Sequence, residues 1–248
     1  MRPGVEEIRA SDWSLGAQAI VSSPSRSVAT GGFASSLVNA RRREAAYAAT
    51  KRGLDVVVAL VLLVVLLPLF AVIGVAVLLD SGGPVLYRGE RVGRFGRPFT
   101  ALKFRSMRPN ADVTAHATFV RSLLHDGTTC AVYKVPEDRR ITRFGALLRR
   151  SSIDELPQLW NVLRGEMSLV GPRPDVAYAV AEYDDWMHRR LVVKPGITGL
   201  WQVSGRSRLS LREMYRLDLS YVANASLRMD LSILMRTVPV VFGRDGAA

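Results

Sequence analysis

The chain is poor in the residues that build compact metal or disulfide scaffolds: its 248 residues include one cysteine, Cys130, and three histidines. A single cysteine excludes an intramolecular disulfide and a multi-cysteine metal site. Acidic residues are also scarce, with Asp+Glu 22 against Lys+Arg 34, which leaves a net charge of +12. Glycine, at 20 residues, is too sparse for a collagen-like repeat, and 48% apolar content is too high for a disordered chain. The length suits one domain with appendages better than two large domains. What remains is a strongly basic chain with a positive mean hydropathy of +0.13. Nucleic acid or an anionic membrane surface could each account for that charge, and the placement of the apolar residues has to choose between them.

Nine of the twelve net positive charges fall in residues 81–150. Directly before them, Val56 to Leu79 is an uncharged, almost purely aliphatic run of 24 residues, and no other stretch approaches membrane length. It begins late and lacks a small-residue cleavage site, so it does not read as a secretory signal. As a straight helix it would reach roughly 36 Å, enough for a hydrocarbon core of about 30 Å. Pro68 lies near its midpoint, and each half then reaches only roughly 16–18 Å. Arg41, Arg42, Arg43, Lys51 and Arg52 flank one end, and Arg88, Arg91, Arg94, Arg97, Lys103, Arg105 and Arg108 follow the other. A spanning helix sends one basic cluster across the membrane, whereas a helix that turns back at Pro68 keeps both on one side. A re-entrant hairpin over 46–82 is therefore favoured, with a proline-kinked span as the alternative. Lys51, Arg52 and Asp55 share a helix face and read as a helix-end ion pair among lipid head groups, anchoring the segment together with Pro68. Residues 1–45 carry Ser, Ala and Gly without sustained periodicity and read as a flexible basic tail. A short tail is expected at 244–248.

Pro84 to Met107 reads as a β-hairpin, with Gly93, Gly96 and Pro98 supplying the turn. Its arginines suit phosphate contact or a solvated edge. Residues 139–175 concentrate the unusual chemistry. Leu156, Leu159, Trp160 and Leu163 mark one apolar face of a helix ending near Gly165. Ser152 and Glu155 match a capping box at its start, but Pro157 fits better if the helix begins at Asp154. Asp154 and Glu155 are thus expected at an exposed helix tip. Arg139, Arg140, Arg143, Arg149 and Arg150 precede the pair and Arg173 follows it. Two carboxylates ringed by guanidiniums can hold a divalent cation and phosphates, with one carboxylate left to attack or accept a proton. The same residues also suit a capped helix end with surface charge.

Lys194 to Gln202 and Gly205-Arg206 form a loop rich in glycine and proline, in which Trp201, Gln202 and Arg206 either contact a ligand or close the core. Leu209 to Phe242 reads as helical and amphipathic, fit for a membrane interface or for packing on the core.

Several blocks carry a resemblance: Lys51-Arg-x-x-Asp55, the proline-broken run, Gly83-Pro-Val-Leu-Tyr-Arg88, Leu102-Lys-Phe-Arg-Ser-Met107, Asp154-Glu-Leu-Pro-Gln-Leu-Trp-Asn161, Met167-Ser-Leu-Val-Gly-Pro-Arg-Pro174 and Lys194-Pro-Gly-Ile-Thr-Gly-Leu-Trp-Gln-Val-Ser-Gly-Arg206. In this order, over roughly 46–243, the chain resembles the bacterial sugar transferase family of monotopic polyprenyl-phosphate phosphoglycosyl transferases. The resemblance implies an α+β, mostly helical, membrane-associated monotopic domain with a re-entrant proline-broken helix, a small β-hairpin and interfacial amphipathic helices. The catalytic part would cover 83–243.

It also implies a reaction. Sugar-1-phosphate passes from a UDP-sugar to undecaprenyl phosphate with release of UMP, by a ping-pong route that uses Mg²⁺, at the cytoplasmic face of the bacterial inner membrane. This would be the first membrane step of exopolysaccharide or related glycan synthesis. By position, Asp154 matches the nucleophile and Glu155 the second acid, with Mg²⁺ against both. Arg149 and Arg173 match phosphate-binding arginines and Lys103 the lysine of the hairpin motif; Gln202 and Arg206 join the expected substrate-binding set. One departure is Leu67-Pro68, where many members have Ser-Pro. The expected partners are the two substrates and anionic lipids, with a homodimer left open and nucleic acid excluded. A transferase releasing UDP and a non-catalytic membrane scaffold are the alternatives.

Overall fold

The structure is a computed structural model that describes residues 30–108, 114–125 and 140–242. Arg139 and the tails 1–29 and 244–248 lie outside the described residues. The chain divides into two units, 1–46 and 47–248.

Helix α1 runs from Thr30 to Val65, so residues 30–45 of the expected tail are helical. The sequence accounts for the helix: Ala40 to Ala49 is rich in Ala and Arg, both good helix formers, and extending an existing helix is far easier than starting one. Helix α2, Leu67–Ser81, carries Pro68 in its first turn and ends on Gly82 in the left-handed conformation (φ 75°). The two helices meet at a bend of 61°. The break falls where a proline must forfeit an amide and crowd the carbonyl of the preceding turn. No single described helix is long and apolar enough to cross a membrane, but the bent pair Glu44–Val65 and Leu67–Ser81 qualifies together. Its outer surface is apolar and open: Val57, Val61, Val64, Val65, Leu67 and Val72 are exposed, and Leu79 is 84% exposed.

The hairpin forms as expected. Strands β1 (Leu86–Val92) and β2 (Pro98–Phe104) pair antiparallel from Leu86 opposite Phe104 to Val92 opposite Pro98. Val92, Ala101 and Phe104 are buried, and the Phe104 ring meets Phe70 of α2 edge-on at 5.3 Å. Helix α3 spans Thr114–His125 and α4 spans Arg143–Arg150. After α4 come a 3₁₀ turn, Ile153–Glu155, and helix α5, Gln158–Arg164, which stops at left-handed Gly165.

A second strand pair enters the region where a loop was expected after Lys194: β3 (Ser168–Val170) lies parallel to β4 (Gly196–Thr198). Glycine permits it. A Cβ on Gly196 would come within 2.1 Å of the Gly171 nitrogen, so the two segments could not approach with any larger residue. Helices α6 (Leu211–Asn224) and α7 (Leu227–Phe242) complete the helical C-terminal region, with Ser210 and Glu213 forming a full capping box before α6.

Three apolar clusters hold these elements. Ala59 of α1 packs with Leu159, Val162, Met167, Val170, Tyr221 and Ile233. Val120, Leu123, Tyr183, Met187, Met214 and Tyr215 form the second, and Ile73 and Val77 of α2 pack with Phe104 and Leu148 in the third. The α5 face differs from expectation: Gln158, Leu159, Asn161 and Val162 are inside, while Trp160 is 51% exposed. Asn161 is buried against β2, where its side-chain amide accepts from the Leu102 amide and donates to the Thr100 carbonyl, and Trp160 faces outward. Helix α7 is apolar on two sides, with Ile233 buried and Leu231, Met235 and Val238 exposed along one stripe.

Candidate active site

The acid pair is buried. Asp154 is 7% exposed and Glu155 9%, which corrects the expected exposed helix tip. The cause is local backbone geometry. Thr142 caps α4 through the Gly145 amide at 2.9 Å, and α4 ends on Arg149-Arg150. Ser152 then takes the left-handed conformation (φ 56°, ψ 16°) and makes no side-chain capping bond, so the Ser152–Glu155 box that the spacing matches does not form. This reversal folds the 3₁₀ turn inward, and Pro157 follows with φ −60°, ready for the start of α5.

The two acids have different surroundings. Lys103 of β2 places its Nζ 2.7 Å from Glu155 Oε1. Arg173 donates from Nη1 to Oε2 at 3.0 Å and from Nη2 to Oε1. Burial alone would raise the Glu155 pKa, but Arg173 and Lys103 overcome it and hold the carboxyl well below the usual carboxylate range. Burial pushes Lys103 below the ordinary lysine value against the pull of Glu155. Asp154 goes the other way. Burial, reinforced by the charge on Glu155, raises it to about 6 against the opposing fields of Lys103, Arg149 and Arg173. No donor among the described residues pairs with the Asp154 carboxylate. Glu155 is therefore the fixed acid and Asp154 the open one.

Among the other expected residues, Arg149 lies close enough to act on Asp154, and Arg206, at left-handed φ 49°, feels both Glu155 and Arg173. Gln202 turns elsewhere: its amide nitrogen donates to Ile197 O of β4 at 3.2 Å. Among the described residues no group of three or more metal-ligating side chains gathers.

The expected anchor residues meet other parts of the protein. Lys51, Arg52 and Asp55 do not pair with one another. Lys51 Nζ meets Asp230 of α7 at 3.0 Å, and Asp230 also accepts from Tyr47 and Tyr221. Arg52 donates to the carbonyls of Val162 and Leu163, at 2.6 and 2.8 Å, closing the C-terminal end of α5. Buried Asp55 accepts the Leu169 amide of β3 at 3.0 Å. One turn of α1 thus docks to α5, β3 and α7. The partners of this turn are other segments of the protein in place of the expected ion pair within the helix.

Sequence reasoning missed Asn161. Its Oδ1 accepts from the Leu102 amide at 3.0 Å, and its Nδ2 donates to Thr100 O and to Glu166, both at 2.7 Å. Asn161 therefore grips β2 on both sides of Ala101, one residue from Lys103. Its place inside the Asp154–Asn161 block was the only available signal.

Residues 46–244 match the bacterial sugar transferase family, and the chain belongs to it. Over 197 residues it is 45% identical to the UDP-galactose-lipid carrier transferase of Erwinia amylovora and 42% identical to the undecaprenyl-phosphate galactose phosphotransferase of Salmonella typhimurium, covering 79% of this chain and 41% of each relative. The chain thus spans about two fifths of those relatives' length. It is 41% identical over 192 residues to the exopolysaccharide production protein ExoY of Sinorhizobium fredii, covering 77% of this chain and 85% of that protein.

Proposed function

We propose that this protein transfers sugar-1-phosphate from a UDP-sugar to undecaprenyl phosphate, as an undecaprenyl-phosphate phosphoglycosyl transferase of exopolysaccharide or related glycan synthesis. The observation that carries the reading is the unequal acid pair: Glu155 fixed by Lys103 and Arg173, Asp154 buried beside it without a donor. The names of the Erwinia and Salmonella relatives supply the substrate class.

In the first half-reaction an Asp154 carboxylate oxygen attacks the β-phosphorus of the nucleotide sugar. The bond from that phosphorus to the bridging oxygen breaks, and UMP leaves with the electron pair. In the second, a phosphate oxygen of undecaprenyl phosphate attacks the same phosphorus and displaces Asp154. At pH 7 a group titrating near 6 is mostly ionised, so Asp154 stands ready as a nucleophile. Phosphoryl transfer depends mainly on positioning and charge neutralisation. Arg173 and Lys103 hold the site's fixed charge, while Arg149 and Arg206 border it for phosphate oxygens.

Mg²⁺ fits this donor set in part. Both Glu155 oxygens are committed to cations, so of the expected pair Asp154 is the acid open to a metal. Mg²⁺ commonly takes one or two carboxylates together with substrate phosphates, and when bound it would neutralise pyrophosphate charge.

The bent pair α1–α2 enters the membrane and returns on the cytoplasmic side of the inner membrane. Its 61° bend and exposed aliphatic surface support that topology. In a Cys130→Ser background, single cysteines at either flank should both label from the cytoplasm, and periplasmic labelling of one would overturn it. The test of the reaction is nucleotide release from UDP-sugars with undecaprenyl phosphate and Mg²⁺. Asp154→Asn should abolish UMP release while the protein stays membrane-bound. UMP release retained by that variant, or UDP as the product, would refute the mechanism.

A further inference from the structure

We infer that Arg190 is a positioning residue for Arg173, acting through the backbone of the Pro172–Asp175 segment. The inference rests on the site proposed above, because it gives Arg173 its task there. The side chain of Arg190 is only 2% exposed, and the transfer chemistry makes no use of it. Removing a guanidinium from water costs several kcal/mol unless its donors are satisfied, and well-packed apolar residues often replace buried ion pairs without loss of stability. A buried arginine of this kind therefore calls for a structural task that an apolar residue could not perform.

Its contacts identify the task. Arg190 Nη2 donates to the backbone carbonyl of Arg173 at 2.9 Å. Nη1 donates to Asp175 Oδ2 at 2.5 Å and also to the Tyr183 hydroxyl. Nε and Nη2 donate to Asp218 Oδ2 of α6 at 3.0 and 2.6 Å, and the guanidinium lies 4.1 Å from the centre of the Tyr215 ring. Asp175 accepts from Tyr215 at 2.8 Å, and its backbone oxygen takes the Val92 amide of β1 at 2.9 Å. Pro172 O accepts the Gly196 amide of β4 at 2.8 Å.

Arg173 is thus held between two prolines with restricted φ, with its own carbonyl on Arg190 and its neighbours tied to β1 and β4. Only its side chain is left to project, and that side chain reaches Glu155 in a two-pronged contact. Such a contact tolerates little displacement, because both donor directions are set by one planar group. Asp218 fixes Arg190 from α6, so the path runs from α6 through Arg190 to Arg173 and the acid pair.

The test is a double-mutant cycle. Arg190→Lys keeps the charge but cannot bridge Asp218, Asp175 and the Arg173 carbonyl together; Asp218→Asn is a milder second variant that keeps an acceptor for Arg190. Each is made in the parent and in an Arg173→Ala background, and UMP release is expressed per folded enzyme. Arg190→Lys should lower turnover roughly 10- to 100-fold in the parent and less than about 2-fold once Arg173 is alanine. Asp218→Asn should show the same dependence with a smaller loss. Equal losses in both backgrounds, or no loss in the parent, would overturn the inference. If the parent releases no UMP, the proposed reaction itself fails, and amide exchange decides the network separately. Faster exchange in Arg190→Lys confined to Val92 and Gly196, whose amides donate into the segment, supports it; unchanged exchange there, or a rise throughout the chain, refutes it.

Discussion

Replacing Arg52 by methionine keeps most of the side chain's length and apolar bulk and removes its five donors. Two of those donors close the C-terminal end of α5, on Val162 O at 2.6 Å and Leu163 O at 2.8 Å. A hydrogen bond with one charged partner contributes about 1.5–3 kcal/mol net. Val162 O keeps a second donor in the Gly165 amide, and the Lys194 ammonium lies near Gly165, where it could move to cover part of the vacancy. The expected cost of Arg52→Met is therefore about 2–4 kcal/mol, nearer the sum of two weak bonds than of two strong ones. Arg52→Lys, which can reach only one carbonyl, should lose about half as much. The assay is denaturant unfolding followed by tryptophan fluorescence in neutral detergent micelles, with partition into anionic vesicles measured in parallel. Micelles without phospholipid decide the matter: a head-group anchor would lose vesicle affinity and keep its stability there. A change below about 0.5 kcal/mol in detergent, with weakened vesicle partition, would refute the latch and return Arg52 to the membrane surface.

Ser152→Gly should leave stability and turnover near the parent, because glycine accepts φ 56° freely, whereas Ser152→Val should cost roughly 1–3 kcal/mol and displace the acids that follow; equal tolerance of both in unfolding and UMP-release assays would dismiss backbone strain as the cause. Asn161→Leu should cost about 2–4 kcal/mol by leaving the Leu102 amide and Thr100 carbonyl short of a partner, and should lower turnover per folded enzyme through Lys103; a variant as active and stable as the parent would show that β2 needs no such grip. Burial raises Asp218 to about 6 in spite of Arg190, so the folded state holds this proton more tightly than the unfolded chain does. Its contribution thus opposes folding above pH 6 and fades as the pH falls from about 6 towards 4. Asp218→Asn removes that dependence, so the parent should gain on the variant by up to roughly 3 kcal/mol over this window. A constant difference between their unfolding free energies from pH 7 to pH 4 would contradict the shift. Asp175, held low by Arg190 against its burial, contributes with the opposite sign at lower pH.

The features legible in the sequence were those set by local rules. A proline in mid-run broke the apolar helix at Pro68, glycines and Pro98 placed the hairpin turn, and Gly165 stopped α5. The acids and their arginines were legible as a cluster, since Arg149, Asp154, Glu155 and Arg173 lie close in the chain. Hidden from the sequence were the partners brought from far away. Nothing local says that Arg52 will meet residues 110 and 111 positions distant, or that Lys103 will take Glu155 across 52. Burial of the acids was missed because it depends on one left-handed serine, a conformation that serine seldom adopts. The β3–β4 pair was missed because three-residue strands leave too short a pattern to read.

The long-range bonds have one property in common: each joins two sequence blocks that looked like independent motifs. Arg52 and Asp55 tie the first block to α5 and β3. Asn161 ties the acid block to β2, and Glu155 ties it to Lys103 and Arg173. The Asp175 carbonyl joins the Pro-Arg-Pro segment to β1. The hairpin is thereby held at both ends, at Val92 and beside Lys103, between the segments that supply Glu155 and Arg173. A site made of three charged side chains from three separate segments cannot be preorganised by its own ion pair alone, because the pair would follow whichever segment moved. The buried backbone contacts of Asn161, Asp175 and Arg190 remove that freedom, so Glu155 stays neutralised whether or not substrate is present and Asp154 keeps an unshared carboxylate. On this reasoning, single substitutions at these three positions should resemble loss of Lys103 or Arg173 more closely than ordinary core substitutions do.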